Sequence, residues 1–500
     1  MGFARLCLAA RSHRSLAGCA SADPRVGLLA MRNVALSGSR SRTRARRWDV
    51  VVLGSSLPGL IAAVRLAMGR LRVLVVEEEA AARQPATVRE PFFLAGSGAG
   101  GVLDACLRAL ALPLIDRRRL ASEPLAYQVV MPDARIDVAT PARTAEELVA
   151  WGLAKPEVAR GLVRGLTEAA AGEREALLDS PVVRASRSAA GLGRAASPRA
   201  PRHARGLPGE VSQPPDSLVP WLEAQIRALV NVATPFAPPE ARARLLGGAL
   251  EGGAGFESAE ETLIGLLRRR FHALHGEIRL LPGRFELVSV GELAGVAPAM
   301  SDEVWFGRAL VLNAPLGPLA TWLEASGCAP DFLPAPPVLR HRGWTALKVA
   351  RDAVPEGMAR RVIRVRDARA PLEAANLVRI GLFPEKAGRD VQVIASYVIP
   401  PGETEAAQAE ADVTESLLEL MPFARERARR AAPVARPRWD DDLALEDPAP
   451  GAGWPSEVEL RLLSKPPVYR LPREEVGVLG VEGDCLLGWR AGDAILSDLT

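Results

Sequence analysis

Apolar and polar positions are most regularly ordered between Asp49 and Glu77. The run from Asp49 to Leu53 is apolar and rich in β-branched residues, as in a strand of a parallel sheet that is buried on both faces. Leu60 to Met68 has helical character with small alanine faces, and Arg72 to Val76 is a second apolar run that reaches Glu77. The pattern therefore predicts one strand–helix–strand unit, in which Gly69 ends the helix.

The turn between the first strand and the helix carries the candidate chemistry of this unit. It reads Gly54, Ser55, Ser56, Leu57, Pro58 and Gly59. Gly54 allows a tight turn, Gly59 lets the helix lie close to the sheet, and the helix N-terminus offers N–H groups to a pyrophosphate. Glu77 follows Gly54 by 23 positions, where a carboxylate can accept hydrogen bonds from ribose hydroxyls.

This spacing predicts dinucleotide binding. An acid at Glu77 disfavours a 2′-phosphate, which speaks against NADP as the ligand. The alternative is an α/β core that keeps the shape of the unit and binds no nucleotide.

The remaining patterns predict alternating helices and strands along the chain. Thr144 and Glu147 have the spacing of a capping box that opens a helical stretch. The predicted elements are a helix over 102–110, a hairpin over 127–138, helices within 143–180 and 217–250, a helix over 258–274, strands within 276–290 and over 305–313, a short helix after 314–316, three or four strands within 342–399, a helix over 406–420, a strand and turn over 474–484, and a final helix from 492.

Two stretches are low in complexity. Residues 1–47 contain ten arginines and a single acid, Asp23, which fits a transit peptide and equally fits translation from an upstream start codon, with Met31 as the real start. Residues 183–216 are dominated by Arg, Ser, Ala, Gly and Pro. We expect both stretches to be disordered.

Composition excludes several classes of protein. The net charge of +4 is small for 500 residues, and no basic face with interleaved aromatic residues predicts nucleic-acid binding. The five cysteines show neither a disulfide framework nor zinc-ligand spacing, which favours a reducing cytoplasm. The sequence has no run of 18 apolar residues that is free of charges and prolines, so no transmembrane helix is predicted.

Other candidate sites are weak. His272 and His275 share a helix face without further ligands, and Asp440–Asp442 form an acidic run, so no metal site is predicted. Cys485 is expected to be a buried structural thiol, and Lys348 could act as a base. The segment Ala95–Gly101 is either a second phosphate-facing loop or a linker. No catalytic residue can be assigned.

Four stretches together resemble the FAD-dependent superfamily of phytoene desaturases, protoporphyrinogen oxidases and flavin amine oxidases. VVLGSSLPGLIAA is similar to the opening phosphate loop of that superfamily, and VLVVE to its second strand with the ribose-binding acid. GEIRLLPGRFELVSV with RALVLNAPLGPLATWL is similar to its paired strands, and GVEGDCLLGWRAGDAILSD to its C-terminal motif. The stretches cover about 120 residues spread over the whole folded chain.

The resemblance implies FAD as cofactor and a set of residues that bind it. Gly54, Ser55, Ser56, Pro58 and Gly59 would face the pyrophosphate, and Glu77 the ribose. The other implied contacts are Val290 at the adenine, Gly483 and Asp484 at the ribityl or pyrophosphate region, Gly492 with Asp493 and Ala494 at the start of a last helix near the flavin ring, and Trp489 at the substrate cavity.

The chain departs from the superfamily pattern at two places. Ser56 stands where the middle glycine of the phosphate loop is usual, and the segment AAARQPATVRE lacks the glycine pair that usually follows the ribose acid. A non-catalytic binding protein on the same fold therefore remains an alternative to an enzyme, as does a flavin amine oxidase that acts on a polar substrate.

The sequence thus predicts an α/β protein with a Rossmann-like FAD-binding domain and an interleaved α+β substrate domain. Segments 48–115, 256–330 and 471–500 are assigned to the first domain, and segments 116–255 and 331–470 to the second. The predicted function is FAD-dependent hydride removal from an organic substrate. Few polar motifs occur in the second domain, so a lipophilic small molecule is expected, together with peripheral membrane contact of a cytoplasmic protein.

Overall fold

The fold is described from a computed structural model of the chain. The structure describes residues 32–33, 44–179, 183–184, 211, 213–232, 239–299, 301–325, 339–386, 388–431, 434, 436–439, 443–445 and 458–500. Met31 and most of the two low-complexity stretches lie outside these residues.

The described residues form a mixed α/β fold. The strands are β1 (Arg32–Asn33), β2 (Arg44–Leu53), β3 (Val73–Glu78), β4 (Ala121–Glu123), β5 (Tyr127–Val130), β6 (Arg135–Val138), β7 (Val183–Arg184), β8 (Gly253–Gly255), β9 (Glu277–Leu281), β10 (Phe285–Val290), β11 (Leu293–Pro298), β12 (Glu303–Leu312), β13 (Leu339–Ala350), β14 (Arg361–Val365), β15 (Leu377–Pro384), β16 (Asp390–Val398), β17 (Arg429–Arg430), β18 (Leu443–Leu445), β19 (Val458–Glu459), β20 (Arg461–Ser464) and β21 (Pro467–Arg470). The α-helices are α1 (Leu57–Met68), α2 (Glu79–Arg83), α3 (Val102–Ala109), α4 (Leu114–Arg117), α5 (Pro141–Ala150), α6 (Pro156–Asp179), α7 (Val219–Leu229), α8 (Pro239–Ala249), α9 (Leu263–Ala273), α10 (Leu316–Ala325), α11 (Glu403–Leu420) and α12 (Gly480–Leu499).

The first sheet contains the predicted strand–helix–strand unit. Its order is β1-β10-β11-β12-β2-β3-β9, and β21 lies beside the carboxyl end of β12 with β20 next to it. The pairs β12–β2, β2–β3, β3–β9 and β12–β21 are parallel. Val50 and Val52 of β2 face the core that contains α1, while Val51 and Leu53 face a second core on the other side. Burial on both faces explains why the last part of this strand, residues 50–53, is uniformly apolar.

The second sheet has two different faces. Its order is β17-β13-β16-β15-β14-β5-β6, with β18 beside β13. One face, with Ile380, Val393 and Tyr397, packs in a core that also contains Val413 and Leu417 of α11. The intervening positions of β13, β15 and β16 point the other way, because side chains alternate along a strand. That other face lines a cleft described below.

Helix α12 packs along α1. A Cβ at Gly488 would lie 2.5 Å from the carbonyl oxygen of Pro58, and one at Gly492 would lie 2.7 Å from the Cβ of Arg65. Both glycines therefore allow a close helix–helix approach. Since Pro58 lies in the first turn of α1 and Arg65 near its end, only the first part of α12 is near the N-terminus of α1.

The C-terminal elements differ from the prediction. Residues 474–484 do not form a strand: two 3₁₀ turns, Arg473–Glu475 and Gly477–Leu479, lead directly into α12. This helix begins at Gly480 rather than at Gly492, and the last strand of the first sheet is β21. The apolar residues of the predicted strand pack against α-helical neighbours instead, a choice that tertiary contacts make for short apolar runs.

Two further boundaries were wrong. Helix α5 begins at Pro141 after Thr140, so Thr144 is not a cap; its Oγ1 accepts a hydrogen bond from the backbone N–H of Ala139 at 3.0 Å. Strand β2 begins at Arg44, inside the segment expected to be disordered, because residues 44–48 pair in parallel with β12. The predicted hairpin over 127–138 and helix over 102–110 are confirmed. The three or four strands predicted within 342–399 are also confirmed, as the four strands β13 to β16.

Each sheet is assembled from segments that alternate along the chain, as β5 and β6 lie between β3 and β9 in sequence but in the other sheet. The residue limits assigned to the two domains stay predictions. Among the described residues, no helix combines the length and the apolar character that crossing a bilayer requires.

Candidate functional site

A cleft lies where the parallel strands of the first sheet end. Strands β2, β12 and β21 run in the same direction, and the residues that follow them, Ser56, Asn313 and Leu471, line adjoining parts of the cleft. The open face of the second sheet forms the opposite wall. In open α/β sheets, ligands bind outside the carboxyl ends of the strands, so this is the candidate functional site.

The glycine turn is held in place by Asn313, which follows β12. Gly54 has a φ of +113°, in the region that favours glycine, and a Cβ there would lie 2.3 Å from the carbonyl oxygen of Asn313. The side-chain amide of Asn313 donates to the hydroxyl of Ser56 at 2.8 Å and to the carbonyl of Gly54 at 3.3 Å. Ser56 and Leu57 line the cleft, so α1 begins at the cleft wall. Ser55, Pro58 and Gly59 are buried beside them.

Glu77 is buried under two arginines. Its Oε1 accepts hydrogen bonds from Ser55 Oγ at 2.8 Å, from Arg89 Nη1 at 2.5 Å and from the guanidinium of Arg268. Arg89 also donates to the carbonyl oxygen and hydroxyl of Ser55, at 2.9 Å each. The other oxygen, Oε2, is buried and has no hydrogen-bond partner among the described residues. A ribose hydroxyl could donate to this oxygen, provided that Arg268, the more exposed of the two arginines, moves aside.

The next residue, Glu78, anchors a remote segment. Its carboxylate accepts the backbone N–H groups of Arg438 at 2.8 Å and of Trp439 at 3.1 Å. Trp439 is buried against Trp322 and Phe285, with ring centroids 5.6 and 6.1 Å away. This aromatic cluster lies in the core on the side of β2 opposite α1, and Trp439 also lines the cleft.

The first part of α12 contributes Asp484. Its carboxylate accepts hydrogen bonds from Nε and Nη2 of Arg473, both at 2.8 Å. Both residues line the cleft. Gly483 is buried, and a Cβ there would lie 2.5 Å from the carbonyl oxygen of Val476. Gly483 and Asp484 are thus near the N-terminus of α1. Their contact with a cofactor stays a prediction.

Five residues of the predicted site are placed elsewhere. Gly492 lies in the interior of α12, eight residues after Asp484, which is about 12 Å along a helix axis. The others do not line the cleft either: Val290 packs in a small cluster with Val304 and Phe306, Trp489 stacks under the Arg490 guanidinium, Asp493 pairs with Arg65, and Ala494 lies one position further along. Assigning the start of the last helix to Gly492 was wrong, because this helix begins at Gly480. The assignment of these five residues to a cofactor or substrate stays a prediction.

Glu90 is an acid in the cleft wall with an unusual protonation equilibrium. It is half-buried, and its Oε2 accepts the backbone N–H of Leu263, the first residue of α9, at 2.7 Å. Burial raises its pKa to about 8, although the Leu263 hydrogen bond and the charge of Arg361 act to lower it. Glu90 is therefore mostly protonated at pH 7 and can donate a hydrogen bond into the cleft.

Several residues of the cleft carried no recognisable sequence motif. They are Arg89, Glu90, Arg342, Arg379 and Arg473. Arg268, which pairs with Glu77, carried no such motif either. Arg379 lies in the strand Leu377–Pro384, whose apolar residues alternate. In that pattern Arg379 occupies a position that would be read as facing solvent. An arginine on the second face of a central strand is the one signal that could have indicated it.

The other candidates gave no site. No group of three or more His, Cys, Asp or Glu side chains in the described ranges is arranged to hold a metal ion. Cys485 is buried, and its carbonyl oxygen lies 3.8 Å from the Sγ of Cys106, while hydrogen bonding to Cys106 and burial raise the pKa of the Cys485 thiol. Lys348 lies outside the cleft and pairs with Glu385 at 2.8 Å, and Asp440–Asp442 lie outside the described residues.

Comparisons with known proteins agree with this architecture. No protein-family model and no curated protein matches the chain. Among solved structures, a protein from Pyrococcus furiosus is similar over 90% of this chain and 97% of its own, with 15% identity and a TM-score of 0.51. An oxidoreductase from Methanosarcina mazei is similar over 89% of this chain and 99% of its own, with 13% identity and a TM-score of 0.51. The chain therefore shares the fold of these two proteins. The α/β unit interleaved with a second sheet agrees with the fold class that the sequence predicted.

Proposed function

We propose that this protein is an FAD-dependent oxidoreductase that takes hydride from an organic substrate in the cleft. The observation that carries the proposal is the cleft itself. It begins at the N-terminus of α1, beside a buried carboxylate with an unsatisfied oxygen, and extends to the face of a second sheet. The similarity in fold to an oxidoreductase from Methanosarcina mazei supports the same class of function.

The residues at the glycine turn fit the phosphate and ribose groups of a dinucleotide. The N–H groups in the first turn of α1 and the guanidinium of Arg89 would hold the pyrophosphate. Glu77 Oε2 would accept a ribose hydroxyl. FAD, when bound, supplies the hydride acceptor, and the chain positions the substrate and keeps water away from it.

The protein's own residues also organise the polar part of the cleft. Arg473 and Asp484 form a bidentate pair that fixes the start of α12 against the wall. Protonated Glu90 can donate a hydrogen bond to a substrate oxygen or accept a proton above its pKa of about 8. A lipophilic substrate and contact with a membrane surface stay predictions.

A second candidate function is a non-catalytic binding protein on the same fold. The observation that favours it is the closure of Glu77 by Arg89 and Arg268, which occupies Oε1 and covers the carboxylate. In such a protein the two arginines would replace the nucleotide as the partners of the acid.

The decisive measurement is a titration of the purified full-length protein with FAD, followed by flavin fluorescence and visible absorbance. We expect saturable binding, and we expect Glu77→Gln to weaken it at least about tenfold, because a charged acceptor of ribose hydroxyls is lost. The matched control is Glu79→Gln, which changes a half-exposed acid of α2 that pairs with Arg83.

Two outcomes would end the flavin proposal. One is that neither the wild-type protein nor Arg268→Ala, in which Glu77 is uncovered, takes up FAD. The other is that Glu77→Gln and Glu79→Gln, with unchanged melting temperatures, bind FAD as well as the wild type. The first outcome would favour the binding protein.

A further inference from the structure

Two large apolar side chains are exposed next to each other on α4. Leu114 is 53% exposed and Ile115 is 74% exposed. The other large apolar side chains that are exposed in the described part of the chain, Trp151, Leu280 and Phe423, stand singly. A single exposed apolar residue is normal on a protein surface, whereas adjacent ones indicate a surface that contacts something other than water.

Basic residues surround the apolar pair in sequence. Between residues 104 and 119 the chain has four arginines and two acids. One of these acids, Asp104, is shared by two of the arginines, Arg108 at 2.8 Å and Arg117 at 3.6 Å. Arg118 is exposed and makes no ion pair with a described residue. The surface beside the apolar pair is therefore positively charged.

Helix α9 brings further positive charge to the same place. It contains three consecutive arginines, at positions 268–270. Nε of Arg270 donates to the carbonyl oxygen of Leu110, the residue that follows α3, at 3.2 Å. The neighbouring Arg269 is exposed. Two separate segments thus contribute arginines beside the turn that leads from α3 to α4.

The basic end of this surface reaches the margin of the cleft. Nη1 of Arg119 donates to Oε1 of Glu261 at 2.7 Å, and both side chains are partly exposed. Glu261 lines the cleft, as do the buried apolar side chains of Ile264 and Phe256 on either side of it in sequence. An apolar part of the cleft therefore adjoins the margin at which Arg119 lies.

The size of the apolar surface decides between a bilayer and a protein as its partner. A stable protein–protein interface buries about 800 Å² on each partner, far more than two aliphatic side chains supply. A few apolar side chains are enough for a membrane surface, provided that basic residues beside them contact anionic headgroups. The combination of a small apolar pair and an excess of arginines fits a lipid surface.

We propose that this surface docks the protein on an anionic lipid bilayer, with Leu114 and Ile115 inserted below the headgroups and residues 117–119 at the lipid phosphates. Docking places the margin of the cleft at the membrane surface, so that a lipophilic molecule enters the cleft from the bilayer. The fate of that molecule rests on the oxidoreductase function proposed above. Docking itself can be measured without flavin, so the two proposals can fail separately.

The first test is cosedimentation of the full-length protein with lipid vesicles. Vesicles of phosphatidylcholine with about one-third phosphatidylglycerol should bind the protein at least about tenfold more tightly than vesicles of phosphatidylcholine alone. Added salt should weaken the binding, because it screens exposed charges.

Variants assign the binding to α4. Residues 1–47 contain ten arginines and one acid and can adhere to anionic vesicles by themselves, so all variants keep this segment. The double variant Leu114→Ser with Ile115→Ser should bind at least about tenfold more weakly, since two aliphatic side chains no longer enter the bilayer. Arg118→Gln should bind several-fold more weakly. The matched control is Phe423→Ser, which removes another exposed apolar side chain and should bind as the wild type does.

Insertion is measured separately from adhesion. Phosphatidylcholine that is brominated in its acyl chains quenches a tryptophan only when the indole reaches the chains. In vesicles that contain this lipid, the fluorescence of Ile115→Trp should be quenched more than that of the wild type. Phe423→Trp, the control, should be quenched no more than the wild type.

Three results would overturn the inference. The first is vesicle binding that is unchanged in the folded double variant. The second is equal weakening by Phe423→Ser, and the third is vesicle-bound Ile115→Trp without additional quenching, which would mean adhesion by charge alone. A protein that docks as expected but takes up no FAD would keep the membrane surface and lose the proposed oxidoreductase.

Discussion

Replacing Glu90 by glutamine should make the protein less sensitive to alkaline pH. Glu90 is held at the cleft wall, where its carboxyl oxygen accepts the backbone N–H of Leu263 at 2.7 Å. Glutamine keeps an acceptor oxygen of the same reach and cannot ionise. The substitution therefore removes the titration of this side chain while retaining its described hydrogen bond.

The magnitude follows from the pKa of Glu90, which burial raises from 4.5 to about 8. Ionisation is easier in the unfolded chain than in the folded protein, so the ionised group opposes folding. The cost is absent below pH 4.5, grows as the pH rises toward 8, and is complete above it. Between pH 6 and pH 9 the cost grows only until the pH reaches the folded-state pKa of about 8, which is about two pH units. At about 1.4 kcal/mol per unit, the free energy of unfolding changes by about 3 kcal/mol.

The assay is urea unfolding of the wild-type protein and of Glu90→Gln at pH 6 and pH 9. The difference in free energy of unfolding between variant and wild type should shift in favour of the variant by about 3 kcal/mol between the two pH values. The control is Glu260→Gln. A side-chain hydrogen bond from Ser258 lowers the pKa of Glu260, so this acid is ionised in both states throughout the range.

The reasoning is refuted if Glu90→Gln differs from the wild type by the same free energy at pH 6 and at pH 9. Such a result would mean that Glu90 is already ionised at pH 6 in the folded protein. It would also remove Glu90 as a hydrogen-bond donor at neutral pH.

Three other substitutions test the packing and the covered acid. Arg268→Ala should raise the affinity for FAD several-fold, because one of the two guanidiniums that cover Glu77 is removed; a lower affinity in the FAD titration would contradict the role assigned to Arg268. Gly488→Val should lower the free energy of unfolding by about 1–3 kcal/mol, because its Cβ would lie 2.5 Å from the carbonyl oxygen of Pro58. Gly172→Ala should raise the free energy of unfolding by about 0.5–1 kcal/mol, because Gly172 lies within a long helix and a Cβ there has no neighbour within 4 Å. Urea unfolding measures both changes. Equal effects of the two substitutions would refute the packing argument.

The sequence by itself determined the elements whose signal is local. The unit from Asp49 to Glu77 follows from two apolar β-branched runs, a glycine turn and a helix between them, and the structure has strands and a helix at these places. The strands of the second sheet follow in the same way from alternating apolar positions between residues 339 and 398. The resemblance to a known superfamily predicted the fold that these elements form.

Only the tertiary structure decided the end of the chain. The centre of the run Glu474–Asp484, residues 476–481, is apolar and short, and such a run is compatible with a strand or with a buried helix. It forms two 3₁₀ turns and the start of α12, because the neighbouring place at the edge of β12 is taken by β21 and because Gly488 and Gly492 allow a helix to pack along α1. Local propensity contains no information about which segment takes that place.

Only the tertiary structure decided the composition of the cleft as well. Arg89, Arg268 and Asn313 are brought to the glycine turn from three separate parts of the chain, and Arg342 and Arg379 meet at one carbonyl oxygen. Each of these residues is an ordinary polar position in its own segment. Long-range contacts alone turn them into neighbours, because hydrogen bonds and charge interactions depend on distance in space and not on position in the sequence.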